Sequence, residues 1–175
     1  MRSLFLSQRF YWMFGGLVVL FFLSFGLDFL FPVAKILMLV LLMVLTIDIW
    51  LLYRTKNPFA SERELPELLS LGDPNIICLQ LKNNYRFKIS VKIIDELPYQ
   101  LQERDFVIDE EFDPQESREI RYTIVPDDRG EYRFGRINTF ISGYIGLVMR
   151  RVKGSKPMMG KVFPSVIQMK KLEML

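Results

Sequence analysis

The sequence has no histidine and only one cysteine, Cys78, among its 175 residues. Without imidazole it lacks the commonest general base, a Ser-His-Asp triad and the usual zinc ligand. A lone thiol excludes an intramolecular disulfide, which suits a reducing compartment. Long basic runs are missing as well. The net charge is +3 and acidic and basic residues are interleaved, so no stripe tracks the phosphates of a nucleic acid. There is no phosphate loop, dinucleotide glycine fingerprint, CxxC pair or nucleophile elbow. Ser142-Gly143-Tyr144-Ile145-Gly146 is glycine-flanked but lacks the elbow's spacing, and reads as a loop between strands. The acidic stretch Asp105, Asp109, Glu110, Glu111 and Asp113 lacks the fixed ligand positions around a central glycine that a calcium loop needs, and reads as a solvated loop. Asp95-Glu96 before Pro98 reads as the end of a strand, and Cys78 as a small apolar residue facing the sheet. These absences argue against an enzyme and for a role in anchoring or binding.

Charge is scarce in residues 1–53, and two apolar runs fill that region: Tyr11 to Phe31 and Val33 to Tyr53. About 20 residues at about 1.5 Å each span a hydrocarbon core of roughly 30 Å. Pro32 between them ends a helix, so the spacing predicts two antiparallel membrane helices joined by a very short turn. A cleaved signal peptide fits less well: the first run is too long, no small-x-small site follows it, and a second span comes at once. Arg2 and Arg9 precede the first span, and Arg54, Lys56 and Arg63 follow the second; the outer turn offers Lys35 offset by Asp28. The positive-inside rule then puts both ends in the cytoplasm, with Tyr11, Trp12, Trp50 and Tyr53 at the inner interface. Asp48 falls inside the second span, where a charge costs about 2.5 to 3.5 kcal/mol. Folding the hairpin at residues 31 and 32 sets it opposite Gly15 and Gly16, which permit close helix approach. Two readings stand: a polar contact to a partner helix, or a carboxylate that reaches the nearby interface or is held neutral by burial.

After the spans, Lys56 to Pro74 is charged and proline-containing, and reads as a linker with room for a short helix at Glu62 to Leu71. Then the pattern shifts to period two. Strands are predicted at Asn75 to Lys82, Arg86 to Ile94, Phe106 to Ile108, Arg118 to Val125, Glu131 to Ser142, Gly146 to Val152 and Lys161 to Val166. Pro126-Asp127-Asp128-Arg129-Gly130 is a turn. About seven short strands with no alternating helices predict an antiparallel, immunoglobulin-like β-sandwich. The organisation is then a two-helix membrane hairpin (1–54), a linker (55–75), a sandwich (76–168) and a C-terminal tail (169–175) that marks a candidate truncation point. Asp127, Asp128, Arg129, Gly130 and Tyr132 form the candidate contact surface for another protein; a plain hairpin turn with Gly130 at positive φ is the other reading.

Several motifs recur in order: Arg63-Glu64-Leu65-Pro66, Leu71-Gly72-Asp73-Pro74-Asn75, Leu81-Lys82-Asn83, Asp95-Glu96-Leu97-Pro98, Pro126 to Gly135, Gly146-Leu147 and Val162-Phe163-Pro164-Ser165. With the hairpin, they resemble the N-terminal part of the bacterial domain-of-unknown-function family 58 proteins. The resemblance implies a β-sandwich that precedes a von Willebrand factor A-like domain, genes beside a MoxR-type AAA+ ATPase, and an accessory or adaptor role in protein maturation or envelope assembly at the bacterial inner membrane. Two features depart from the pattern. A proline usual before Gly146-Leu147 is replaced by Ser142-Gly143-Tyr144-Ile145, and the von Willebrand factor A-like half with its metal site does not follow, so no metal ligands carry over. A structural membrane protein that assembles through its hairpin is the alternative.

Overall fold

The computed structural model describes residues 3–103 and 106–164. The chain opens with a strand, β1 (Leu4–Leu6), where the sequence pattern gives no sign of one. Ser7 then caps α1 (Gln8–Leu23): its hydroxyl accepts the Arg9 amide at 3.3 Å. α1 has 16 residues and stops well short of Phe31, the expected end of the first span. Ser24 ends it, with its amide on the Leu20 carbonyl and its hydroxyl on that of Phe21 at 2.6 Å. Residues 24–29 turn the chain, so the reversal precedes Pro32 instead of occurring there. Pro32 sits in the first turn of α2 (Leu30–Tyr53), where an amide has no intrahelical acceptor to lose. The 24 residues of α2 reach about 36 Å, and α2 is the one helix among the described residues long and apolar enough to cross a membrane. α1 is apolar but reaches only about 24 Å.

The rest is a β-sandwich. Its strands are β2 (Phe59–Glu64), β3 (Leu68–Ser70), β4 (Asn75–Asn83), β5 (Ile89–Asp95), β6 (Val107–Phe112), β7 (Ser117–Ile124), β8 (Gly130–Phe134), β9 (Ile137–Ser142), β10 (Val148–Lys153) and β11 (Met158–Phe163). A five-stranded sheet runs β1-β10-β9-β5-β6; two three-stranded sheets run β2-β4-β7 and β3-β11-β8. Period-two patterning explains the core: Leu79 and Leu81 of β4 join Ile89, Val91 and Ile93 of β5 in one buried cluster that also takes in Phe59, Phe112 and Ile141. A second cluster joins Leu69, Ile77, Ile124, Tyr132, Phe134 and Val162 under the β3-β11-β8 sheet.

Several expectations are corrected. The presumed linker carries β2 and β3 in place of a helix at Glu62 to Leu71, and β2 pairs with β4 in register from Phe59–Asn83 to Glu64–Cys78. β2 alternates inward through Phe59, Ser61 and Arg63, a strand whose buried face is mostly polar. The sandwich is not wholly antiparallel, because β11 runs parallel to β3. Glu131 to Ser142 is two strands, since the chain changes sheets at Gly135-Arg136. The acidic stretch is mostly β6, an edge strand, with Asp109, Glu110 and Glu111 paired to Lys92, Val91 and Ser90; charge suits an exposed edge. Asp105 lies outside the described residues, as do Val166, the end of the last predicted strand, and the 169–175 tail. Cys78 lies half-buried on the outward face of β4, not in the core.

Candidate functional site

The hairpin and the sandwich meet at one junction, and Asp48 is at its centre. This residue is 1% exposed although it sits on a helix most of whose side chains are uncovered. Oδ2 accepts the backbone amides of Leu147 and Val148, both at 2.9 Å. Two amide donors replace the water that a carboxylate would otherwise demand. The contact expected from the sequence, with Gly15 and Gly16, is absent: a Cβ added at either glycine would meet nothing within 4 Å. Instead Gly143 takes the close approach, since a Cβ there would stand 3.3 Å from Asp48 Oδ1. A loop of the sandwich, residues 143–147, has taken the place assigned to a helix face.

The clamp has further points. Arg150 donates to the carbonyls of Leu52, in the last turn of α2, and of Thr55, just past its cap, at 2.5 and 2.9 Å, which sets a cation against the helix dipole. The Arg150 guanidinium also lies 4.6 Å from the Tyr53 ring centre. Tyr85 donates to the Leu52 carbonyl at 2.7 Å, and burial pushes its phenol up, so it stays a donor. Leu52 itself is fully buried in the sandwich core. On the other helix, β1 pairs with β10 from Leu4–Arg150 to Leu6–Val148, and the Ser7 amide bonds the Leu147 carbonyl at 2.9 Å. Both helices are therefore tied to one strand, β10, and its preceding loop.

The second polar centre lies inside the sandwich. Arg63 and Asp95 form a fully buried ion pair, with Arg63 Nε on Asp95 Oδ2 at 3.1 Å and Nη2 on Oδ1. Arg63 Nη1 reaches the Gly135 carbonyl at 3.2 Å, and Tyr122 donates to Asp95 Oδ2 at 2.7 Å. Burial first, then the neighbouring Asp95 charge, pushes the Tyr122 phenol far above its ordinary range. The next residue, Glu96, accepts the Arg136 amide at 3.0 Å and the Asn138 side chain at 2.6 Å. Asn75 and Asn83 likewise bond backbone groups of adjoining turns. From the sequence, Arg63 reads as a basic flank of the membrane and Asp95-Glu96 as turn chemistry. The signal that could have found them is a polar residue at an inward position of an alternating strand.

The turn at residues 126–130 splits its candidates. Asp127, Asp128 and Arg129 are exposed, and Gly130 has φ +133°, a conformation that L side chains rarely adopt. Tyr132 is 1% exposed, so its ring offers no contact surface. Its hydroxyl instead accepts the Asp128 amide at 3.2 Å and donates to the Asp128 carbonyl at 3.1 Å, pinning the turn from below. Among the described residues no group of three His, Cys, Asp or Glu side chains is placed to hold a metal ion.

No protein-family model and no curated protein matches the sequence. Solved structures do resemble the chain at low identity. One is the CARDB domain of the PF1109 protein from Pyrococcus furiosus, in complex with di-metal ions: 14% identity, 60% of this chain and 87% of that one, TM-score 0.43. Another is the ASH/PapD-like domain of human CEP192: 15% identity, 63% and 91%, TM-score 0.41. A third is the PKD domain of an M14-like peptidase from a Thermoplasmatales archaeon: 11% identity, 59% and 92%, TM-score 0.35. The likeness is of an all-β domain and carries no ligand or activity to this chain, which is a β-sandwich joined to an N-terminal pair of apolar helices.

Proposed function

We propose that this chain is a non-enzymatic, membrane-anchored interaction module of the bacterial inner membrane, with an immunoglobulin-like sandwich held on the cytoplasmic face by a two-pass hairpin. The observation that carries the reading is the junction: Asp48 on the Leu147 and Val148 amides, and Arg150 on the Leu52 and Thr55 carbonyls. An anchor on a flexible tether needs no such clamp; a module that passes force or orientation between bilayer and partner does. Arg9, Arg54 and Lys56 at the sandwich end of the helices favour that end as the cytoplasmic one.

The resemblance to the domain-of-unknown-function family 58 proteins makes a MoxR-type AAA+ ATPase the proposed partner, with von Willebrand factor A-like proteins as further ones and protein maturation or envelope assembly as the process. Asp127, Asp128 and Arg129, held out by the Tyr132 pin, are the proposed contact. Co-purification from membranes tests this: the ATPase should accompany the wild type, and Arg129→Glu should weaken the complex with the fold intact. Unchanged binding would remove the assigned surface. The alternative, assembly through the hairpin, draws on the open space beside Gly15 and Gly16. It no longer has Asp48 to offer, because that carboxylate is engaged within the chain.

A further inference from the structure

One face of α1 presents a cation and then an apolar groove, and the sandwich loop walls both. Arg9, Met13, Gly16 and Leu20 follow at spacings of four, three and four residues, which aligns them along one side of the helix. At the sandwich end, Arg9 borders a cleft of about 350 Å³ with Ser7, Ser90, Ser142 and Tyr144. Lys88 and Glu111 also line it, but they pair with each other at 2.6 Å. Among the described residues Arg9 has no ion-pair partner, and the other cation of the cleft, Lys88, is the one paired. A Cβ on Gly146 would stand 3.0 Å from Arg9 Nη1, which places the guanidinium against the loop backbone. Along the same side of α1, Met13, Gly16, Leu20, Leu37 and Val44 line a second space of about 350 Å³ that is almost wholly apolar, with Leu147 in its wall. Gly16 leaves that space open, since nothing lies within 4 Å of where its Cβ would be. Tyr144 is 89% exposed on the rim, where an aromatic with a polar tip suits a membrane interface.

We infer that this face of α1 and the 142–147 loop form a binding site for one anionic phospholipid, with the phosphate headgroup on Arg9 and an acyl chain along the Gly16 groove between the helices. The site rests on the reading of the hairpin as membrane-embedded. Charge complementarity selects the headgroup, and the order of the two spaces, polar at the sandwich end and apolar along the helices, matches the order of a lipid entering from the inner leaflet. A second copy of the hairpin would fill the groove equally well but would leave Arg9 without a counter-charge.

The test uses the full chain in nanodiscs of equal parts phosphatidylglycerol and phosphatidylcholine, released into mild detergent and weighed by native mass spectrometry. The wild type should retain phosphatidylglycerol over phosphatidylcholine by about fivefold, the ratio that one basic residue near an anionic surface gives. Arg9→Gln should abolish that preference. Gly16→Leu, whose Cβ meets nothing within 4 Å, should lower retention of both lipids. Equal retention of the two lipids by the wild type, an unchanged preference in Arg9→Gln, or displacement of the lipid by inorganic phosphate would overturn the inference. So would a dimer that Gly16→Leu breaks, which would make the groove a helix-packing surface. Carbonate extraction of the same membranes separates the two failures: release of the chain sinks the membrane reading itself, whereas a retained chain without lipid preference sinks the lipid site alone.

Discussion

The hairpin and the sandwich solve opposite problems with polar groups. Most side chains of α2 are uncovered, and the helix satisfies its backbone internally, as a segment in lipid must. The sandwich covers its side chains and brings charge inside, in the Arg63–Asp95–Tyr122 network. Where the two meet, each borrows from the other. The hairpin lends a carboxylate to two backbone amides, and the sandwich lends an arginine and a tyrosine to the Leu52 carbonyl in the last turn of α2. In both regions the buried charges keep their hydrogen-bond partners.

The sharpest break of this comparison is inside the sandwich. Asp95→Ala strands the Arg63 charge and should cost about 3–5 kcal/mol, read by chemical denaturation of the β signal in circular dichroism. Replacing both partners by apolar residues of similar size should recover most of that loss. At the junction the effect should be of comparable size but local. Asp48→Leu leaves the Leu147 and Val148 amides unpaired, about 1–3 kcal/mol for each buried donor, and should loosen the loop while β4 and β5 stay intact. Asp48→Asn keeps an acceptor and should fall between Asp48→Leu and the wild type, as limited proteolysis at residues 143–147 would show.

Further out, Gly130→Ala forces a side chain into φ +133° and should cost about 1–2 kcal/mol with no change at the junction. The smallest effect should come from a half-buried carboxylate of the sandwich. Glu116 is held below the ordinary carboxylate range by the Asp113 amide and then by Arg118. A depressed folded-state value stabilises above the unfolded one and is lost as pH falls, so Glu116→Gln should flatten only the acid limb of the stability profile.

The strands with apolar inward faces are legible because alternation survives in sequence; β4, β5 and β7 lie within a few residues of their expected bounds. β2 is not, because Ser61 and Arg63 fill its inward positions and read as surface. β1 is hidden for another reason: Leu4 to Leu6 is too short to show alternation, and its partner β10 lies far along the chain. The end of α1 is misplaced from sequence because Pro32 looks like the breaker, whereas proline is tolerated in a first helical turn. Asp48 is visible as an anomaly, but its partners are backbone amides, which carry no residue signature. Tyr132 reads as surface along with its turn, and only its burial assigns it to the core.

Hairpin and sandwich are clamped as one body through Asp48, and amide hydrogen exchange at Leu147 and Val148 tests that most directly, in the full chain in a bilayer mimic. Both amides should exchange as slowly as those of β9 in the wild type and lose that protection in Asp48→Leu, with β4 unchanged. Fast exchange at both positions in the wild type, or protection that survives Asp48→Leu, would contradict the clamp.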